Sequence, residues 1–230
     1  MCGFSRRFDD SYRDAYSRVQ QGQIGRPSII RSQTCDKHDP SGFFVEYAAW
    51  SGGVFVDMSV HDIDLTLWFF GDDIVPKCVS ANGIRAVQPD LAKYNDYDNA
   101  VGIVEFWGGK IAYYYCSRMM AHGQEDTTEI IGTEGKLAVN NNPQANFVNY
   151  YHQGGITREV PAHYYGRFEM GFVKEANEFA ESCLDDTPLP MKLSNAVKAV
   201  EIGAALQEAL VLGTQIHFDE IGRRVTPAKL

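Results

Sequence analysis

The sequence predicts an α+β fold, in which a large, mostly antiparallel open β-sheet has its helices packed on one face. Residues 75–160 consist of short runs of Val, Ile, Tyr and Phe broken by glycine, which is typical of an extended sheet. The segments before and after this stretch carry apolar residues at helical spacing instead. Because no repeat or linker divides the chain, we expect residues 1–230 to form a single α+β domain.

The N-terminal third predicts a strand, a helix and a second strand. Met1 to Ser5 is a short apolar run, and Asp9 or Asp10 can cap a helix that continues to about Gln21. Residues 26–34 predict a strand, which leads into a loop rich in glycine and aromatic residues at 41–51. Beyond the loop, apolar residues at steps of four and three predict one face of a helix, namely Val56, Val60, Ile63, Leu67 and Phe70.

Two hairpins are predicted within the sheet. Residues 99–107 and 110–118 flank Gly108-Gly109, and residues 127–131 and 136–139 flank a second turn at 132–135. After a loop near residue 142 the chain returns to helix, with an apolar stripe formed by Phe168, Phe172, Ala176 and Phe179. A break at residues 185–190 precedes an alanine-rich helix at about 194–212, and residues 214–218 predict a last strand.

The face of the sheet opposite the helices predicts self-association. Strand alternation places Ile111, Tyr113 and Tyr115 on one face and Tyr114 and Cys116 on the other. Few of these side chains suit exposure to water on either side. We therefore expect a homo-oligomer, a dimer or a tetramer, that covers the open face.

Composition excludes several classes of protein. The 21 Lys and Arg residues against 30 Asp and Glu give a net charge of -9, which opposes binding to nucleic acid and to anionic membranes. The most apolar stretch, near residues 54–70, is interrupted by acidic residues and is not a membrane span. Five scattered cysteines, none in a C-x-x-C pair, and a charged N-terminal segment fit a cytoplasmic protein without a signal peptide. The alternative location is the peroxisome, if Ala228-Lys229-Leu230 is the native C-terminus.

Asp57 and His61 are the strongest candidates for chemistry. An i, i+4 pair lies side by side on a helix, so the carboxylate can orient the imidazole and raise its pKa, which makes a general acid/base pair. The alternative is a structural contact between a buried histidine and its acid. A pocket wall is predicted just before the pair by a loop with several aromatic residues, namely Phe43, Phe44, Tyr47 and Trp50.

Other candidate sites are weaker. Asp57, His61 and Asp64 share a helix face, but one helix seldom completes a metal site, so we predict none. Adjacent tyrosines such as Tyr164 and Tyr165 can bind sugar rings or pack in the core. Arg6-Arg7 can hold an anion or form a solvated turn. The chain contains no G-x-G-x-x-G fingerprint, so no cofactor-binding residue is predicted.

Four segments in order along the chain resemble the Gfo/Idh/MocA family of oxidoreductases: GFSRRFD at residues 3–9, GGVFVDMSVHDID at 52–64, GTEG at 132–135 and the helix near Arg167-Phe168. The similarity is to the C-terminal half of that family, whose members usually begin with a dinucleotide-binding Rossmann domain. The resemblance implies a substrate site on the helical side of the sheet and oligomerisation through the flat side.

The resemblance also implies roles for individual residues. His61 matches the catalytic histidine that takes a proton from a sugar or polyol hydroxyl, and Asp57 matches the acid that binds substrate and positions that histidine. Arg167 and Phe172 resemble pocket positions of the family. Tyr47 and Trp50 are substrate-binding candidates because of their place in the aromatic loop, not because of the resemblance. The family's Glu-Lys-Pro lysine has no counterpart, and the segment 36–40 lacks the arginine often found before Asp-Pro.

Three functions remain open at this point. The chain is expected to be the substrate domain of an NAD(P)-dependent sugar or polyol dehydrogenase, with NAD(P) bound only if a Rossmann domain is supplied elsewhere. The first alternative is a stand-alone isomerase, lyase or cyclase that uses His61 and Asp57 for proton transfer. The second is a non-catalytic binding or oligomerisation module. The retained acid and histidine argue against this last alternative.

Overall fold

The computed structural model describes residues 1–225, so the C-terminal tripeptide on which the peroxisomal alternative rests lies outside the described residues. The strands of the main sheet are β1 Pro27–Lys37, β2 Pro76–Ile84, β3 Asn99–Phe106, β4 Lys110–Met120, β5 Glu125–Gly132, β6 Lys136–Val139, β9 Ile216–Phe218 and β10 Arg224–Val225. These eight strands lie in the order β10-β9-β2-β3-β4-β1-β5-β6. Every neighbouring pair is antiparallel except β1 and β4, which confirms the predicted class.

Both predicted hairpins are confirmed. Gly108 and Gly109 connect β3 to β4 with φ of 85° and 75°, a left-handed backbone that side chains disfavour. The second turn, between β5 and β6, is closed by the amide of Gly132, which donates to the carbonyl of Gly135 at 2.8 Å. Beyond β6 the prediction of continued sheet is wrong, because β7 Asn149–His152 and β8 Gly155–Arg158 form a separate hairpin whose residues are all exposed.

The helices are α1 Asp10–Gln20, α2 Phe43–Tyr47, α3 Val54–Asp57, α4 Val60–Phe70, α5 Tyr164–Arg167, α6 Glu169–Asp185 and α7 Leu193–Leu212. α3 and α4 both pack against α7, and Gly203 permits the close approach of α7 to α3, since a Cβ on Gly203 would lie 3.2 Å from the carbonyl oxygen of Phe55. Leu206 and Phe55 are fully buried in this layer, and each such side chain contributes about 1.5–3 kcal/mol by leaving water.

The two faces of the sheet differ as the alternation predicts. Tyr114 and Cys116 are fully buried under the helices. On the other face, Ile29, Ile103 and Ile111 are each about 40% exposed in the single chain, at 40%, 40% and 43%. The open face therefore carries apolar side chains in contact with solvent.

Three predicted elements near the site are wrong in detail. Met1 to Ser5 forms no strand; the chain instead enters a 3-10 turn at Ser5–Phe8, because the side chains of Arg6 and Arg7 reach into the interior. Asp9 then caps α1 as predicted, accepting from the amides of Ser11 and Tyr12 at 3.1 and 3.2 Å.

The aromatic loop at 41–51 contains the short helix α2. The single helix predicted through Phe70 is broken between α3 and α4, where Ser59 turns inward to contact the Cys116 thiol at 2.7 Å. Asp57 and His61 therefore lie on different helices. The apolar face of α4 is nonetheless confirmed, because Ile63 and Leu67 are fully buried.

Candidate active site

A cavity of about 750 Å³ lies at the end of β1, between α2, the start of α4 and the segment that leads into α6. Its polar lining includes Asp36, Lys37, Asp57, His61, Gln124 and His163. Its aromatic wall is formed by Phe43, Phe44, Tyr47, Tyr164, Tyr165 and Phe172. Four of the six predicted site residues line this cavity, namely Asp57, His61, Tyr47 and Phe172.

Asp57, the last residue of α3, is held by two partners on other elements. Its Oδ1 accepts a hydrogen bond from the Tyr47 hydroxyl at 3.0 Å, and its Oδ2 pairs with the Nη2 of Arg118, which is fully buried on β4. Burial raises the pKa of Asp57, while Arg118 and Tyr47 act in the opposite direction. No hydrogen bond joins Asp57 to His61 in the described chain, so the predicted pair is near in space but not directly coupled.

His61, in the first turn of α4, lies against an aromatic pocket. The Phe4 ring meets it edge-on at a centroid distance of 5.6 Å, and its Nδ1 lies 3.4 Å from the Tyr164 hydroxyl. Burial, together with the positive charge of Arg6, lowers the pKa of His61 to about 3. The expectation that a neighbouring carboxylate raises this pKa is therefore wrong. At neutral pH the imidazole is neutral, and one ring nitrogen keeps a free lone pair.

A buried ionic network lies behind His61. Arg6 donates to Asp62 at 2.8 Å, to Asp126 at 2.8 Å and to the Thr34 hydroxyl at 2.6 Å, and all four side chains are buried. Burial raises the pKa of Asp126 to about 7, although Arg6 opposes the shift. Because buried charges are expensive unless they are paired, this network fixes the base of the cavity rather than binding a ligand.

Arg7 is the second buried arginine of the N-terminal turn. Its Nε and Nη2 each donate to a different carboxylate oxygen of Asp64 at 2.8 Å. Neither Arg6 nor Arg7 forms the solvated turn or the anion site considered from the sequence. Asp64 is thus occupied away from Asp57 and His61, and residues 1–225 contain no cluster of three side chains suited to a metal ion.

Two predicted site residues do not line the cavity. Arg167 donates to Asp9 at 2.8 Å and lies over the Phe168 ring, so it fastens α5 to the start of α1. The Trp50 side chain is 72% exposed and meets the Tyr47 ring edge-on, at a centroid distance of 6.1 Å. Their assignment to substrate binding stays a prediction, for Arg167 from the resemblance and for Trp50 from the aromatic loop, without support from the cavity.

Asp36 lines the cavity although the sequence did not single it out, and Tyr164, which the sequence suggested as a sugar-binding or core tyrosine, lies beside His61 there. The Gln124 side chain donates to Asp36 at 2.9 Å, and burial raises the pKa of that carboxyl group. Their partners lie far away in the sequence, so no local motif marks them. With Asp36, Asp39 and Asp57 against Lys37, the charged side chains that line the cavity disfavour an anionic ligand.

The known proteins similar to this chain include several inositol dehydrogenases. A family model described as the GFO/IDH/MocA C-terminal domain matches residues 12–138. The scyllo-inositol 2-dehydrogenase (NAD(+)) of Bacillus subtilis is 30% identical over 94% of this chain and 62% of the relative's length. The myo-inositol 2-dehydrogenase of Thermotoga maritima is 25% identical over 95% of the chain and 64% of the relative.

Solved structures with a similar fold also include inositol dehydrogenases. The scyllo-inositol dehydrogenase of Lactobacillus casei, crystallised with NAD(H) and scyllo-inositol, superposes with a TM-score of 0.88 at 34% identity, covering 94% of this chain and 64% of that one. The myo-inositol 2-dehydrogenase of Lactobacillus plantarum superposes with a TM-score of 0.89 at 29% identity, with the same coverage. The chain spans about 62% of the length of the Bacillus subtilis relative.

Proposed function

We propose that this chain, which belongs to the GFO/IDH/MocA family, is the substrate-binding and acid/base part of a dehydrogenase that acts on a cyclic polyol of the inositol class. The observation that carries the proposal is the cavity that both Asp57 and His61 line, in a fold shared with inositol dehydrogenases. Its excess of carboxylates supports a neutral polyol, whose hydroxyl groups donate to Asp36 and Asp57.

His61 is the proposed proton acceptor. Its neutral imidazole can accept the proton of the reacting hydroxyl at a nitrogen without a hydrogen, provided that this nitrogen faces the substrate. Asp57, held between Tyr47 and Arg118, is the proposed anchor of a neighbouring hydroxyl. A carboxylate fixed in this way binds with little loss of side-chain entropy.

A nicotinamide dinucleotide is the oxidant that the relatives imply. A dinucleotide site is built on parallel strands alternating with helices, with a glycine-rich turn at a helix N-terminus. The main sheet has one parallel pair, β1 and β4, and no such turn opens a helix in residues 1–225. These residues do not fit the cofactor. A separate dinucleotide-binding domain is therefore the proposed source of NAD(P).

Self-association through the open sheet face is part of the proposal. Ile29 and Ile111 are register partners on adjacent strands and, with Ile103, leave an apolar surface in contact with water. Light scattering should therefore give a dimer or tetramer for the parent chain, and Ile103→Lys should shift it toward the monomer. A monomeric parent would exclude the oligomer.

Binding of scyllo-inositol tests the proposed function. In calorimetric titration the chain should bind scyllo-inositol saturably and should not bind a sugar phosphate. Asp57→Asn keeps the shape but removes a charged acceptor, so we expect about 10-fold or greater loss of affinity, from a charge-assisted bond of about 1.5–3 kcal/mol. Asp185→Asn, at the exposed end of α6, is the matched control and should bind as the parent does. Failure of the parent to bind any inositol would overturn the proposal.

A further inference from the structure

The group that orients His61 differs from the one that helix spacing suggests. Both carboxylate oxygens of Asp57 are engaged, one by Tyr47 and the other by Arg118. Across residues 1–225, the Tyr164 hydroxyl is the only hydrogen-bond partner of the His61 ring, at Nδ1. The orientation of the imidazole therefore depends on a residue 103 positions later in the chain.

Tyr164 is itself held by the N-terminal turn and by the neighbouring ring of Phe168. Its hydroxyl lies 3.0 Å from the Ser5 Oγ in the N-terminal turn. Its ring packs on Phe168 at 4.7 Å and lies 5.6 Å from the guanidinium carbon of Arg6, a cation–π arrangement. Tyr164 thus spans the gap between the buried arginine and His61, with its oxygen fixed between Ser5 and the imidazole.

We propose that Tyr164 is a positioning residue that holds the His61 proton on Nδ1: its phenol oxygen accepts from Nδ1–H and its own hydroxyl donates to Ser5. The proposal rests on the proposed function, because Nε2 is then the nitrogen that keeps a lone pair for the substrate hydroxyl. At 3.4 Å the bond is long, as catalytic hydrogen bonds often are in the absence of substrate.

The chemical reason is that a neutral imidazole has two tautomers and only one can accept a proton at a given nitrogen. When the substrate O–H bond breaks, its proton moves to Nε2, and the ring becomes an imidazolium that carries hydrogens on both nitrogens. The Nδ1–H bond is kept and continues to donate to the Tyr164 oxygen. This acceptor stabilises the new positive charge, which the neighbouring charge of Arg6 disfavours.

Nitrogen-15 NMR of the labelled chain tests the tautomer directly. Long-range proton–nitrogen correlation at pH 7.5 distinguishes a protonated from a bare ring nitrogen, and His61→Gln identifies the signal. We expect His61 to show a protonated Nδ1 and a bare Nε2. In Tyr164→Phe, loss of the hydrogen bond should shift the tautomer ratio by about fivefold toward the other form. The matched control is Tyr165→Phe, since Tyr165 also lines the cavity but does not contact Nδ1, and it should leave the signal unchanged.

Ser5→Ala provides a second variant that leaves the tyrosine in place, and it should shift the ratio in the same direction by a smaller factor. A parent His61 with its proton on Nε2, or an unchanged signal in Tyr164→Phe, would overturn the proposal. These spectra need no ligand, so they are separable from the calorimetric test. If scyllo-inositol fails to bind while the tautomer is as expected, the proposed substrate is wrong and the positioning role of Tyr164 stands.

Discussion

Replacing His61 by glutamine should change how the stability of the chain depends on pH. The pKa of His61 is about 3 in the folded chain, against an ordinary value of 6.5 for a solvated histidine. Above pH 6.5 the imidazole is neutral in both the folded and the unfolded state. As the pH falls below 6.5, only the unfolded chain binds the proton, so unfolding becomes more favourable until the folded state also protonates near pH 3.

The size of this change in unfolding free energy follows from the difference between the folded and unfolded pKa values of His61. Each pH unit between the two pKa values costs about 1.4 kcal/mol of stability, so the parent should lose about 3 kcal/mol at pH 4 relative to pH 7 from this group. His61→Gln removes the titrating group but keeps a polar side chain. The difference in unfolding free energy between variant and parent should therefore grow by about that amount, in favour of the variant, as the pH falls.

Urea unfolding followed by circular dichroism at pH 7, 6, 5 and 4 measures this difference. Other titrating groups are common to both proteins and cancel in the comparison. His152→Gln, on the exposed β7–β8 hairpin, controls for the loss of a histidine. A difference independent of pH would refute the argument from burial. A difference of opposite sign is what direct coupling of His61 to Asp57 requires, since that would raise the pKa and make the parent relatively more stable at low pH.

The other predictions concern the interior and one turn. Arg6→Met leaves two buried carboxylates without their cation, so urea unfolding at pH 8 should show a loss of about 3–5 kcal/mol. The pKa of Asp126 is about 7 in the folded chain against an ordinary value of 3.8, so the carboxyl group ionises first in the unfolded chain as the pH rises. Between pH 4 and 7 the unfolding free energy of the parent should therefore fall relative to that of Asp126→Asn. A difference in unfolding free energy that does not change with pH would contradict this. Gly53→Ala should lower the melting temperature more than Gly108→Ala does. Both glycines have positive φ, but only at Gly53 would the new Cβ meet another side chain, that of Gln207 at 2.2 Å. Equal decreases would show that backbone strain alone matters.

Local patterns predicted most of the fold. The glycine pair at 108–109 and the alternation of Tyr113, Tyr114 and Tyr115 are properties of neighbouring residues, and the structure confirms both. The family resemblance drawn from four short segments is confirmed by the family model over residues 12–138. The parallel pairing of β1 with β4 was not predicted, because it joins strands separated by three helices and two other strands.

The candidate site was predicted in position but not in its contacts. Spacing of four residues placed Asp57 and His61 on one helix, and the inward turn at Ser59 divides that helix into two. Asp57 is held by Arg118, which lies 61 positions later in the chain, and His61 contacts Tyr164, which lies 103 positions later. Such contacts depend on the assembled sheet, so periodicity within one segment contains no information about them.

The two buried arginines are cations that the acidic residues of α4 require. Asp62 and Asp64 lie within an apolar helix, and two carboxylates cannot be buried there without cations or strong hydrogen-bond donors. Arg6 and Arg7 are two consecutive cations next to an apolar run, and in the structure they pair with Asp62 and Asp64 respectively. Because burial and, to a smaller extent, the Arg6 charge lower the pKa of His61, the pairing that stabilises the core also contributes to the protonation state of the proposed catalytic residue. Arg6→Met should thus raise the pKa of His61 as well as destabilise the fold, which links the two measurements described above.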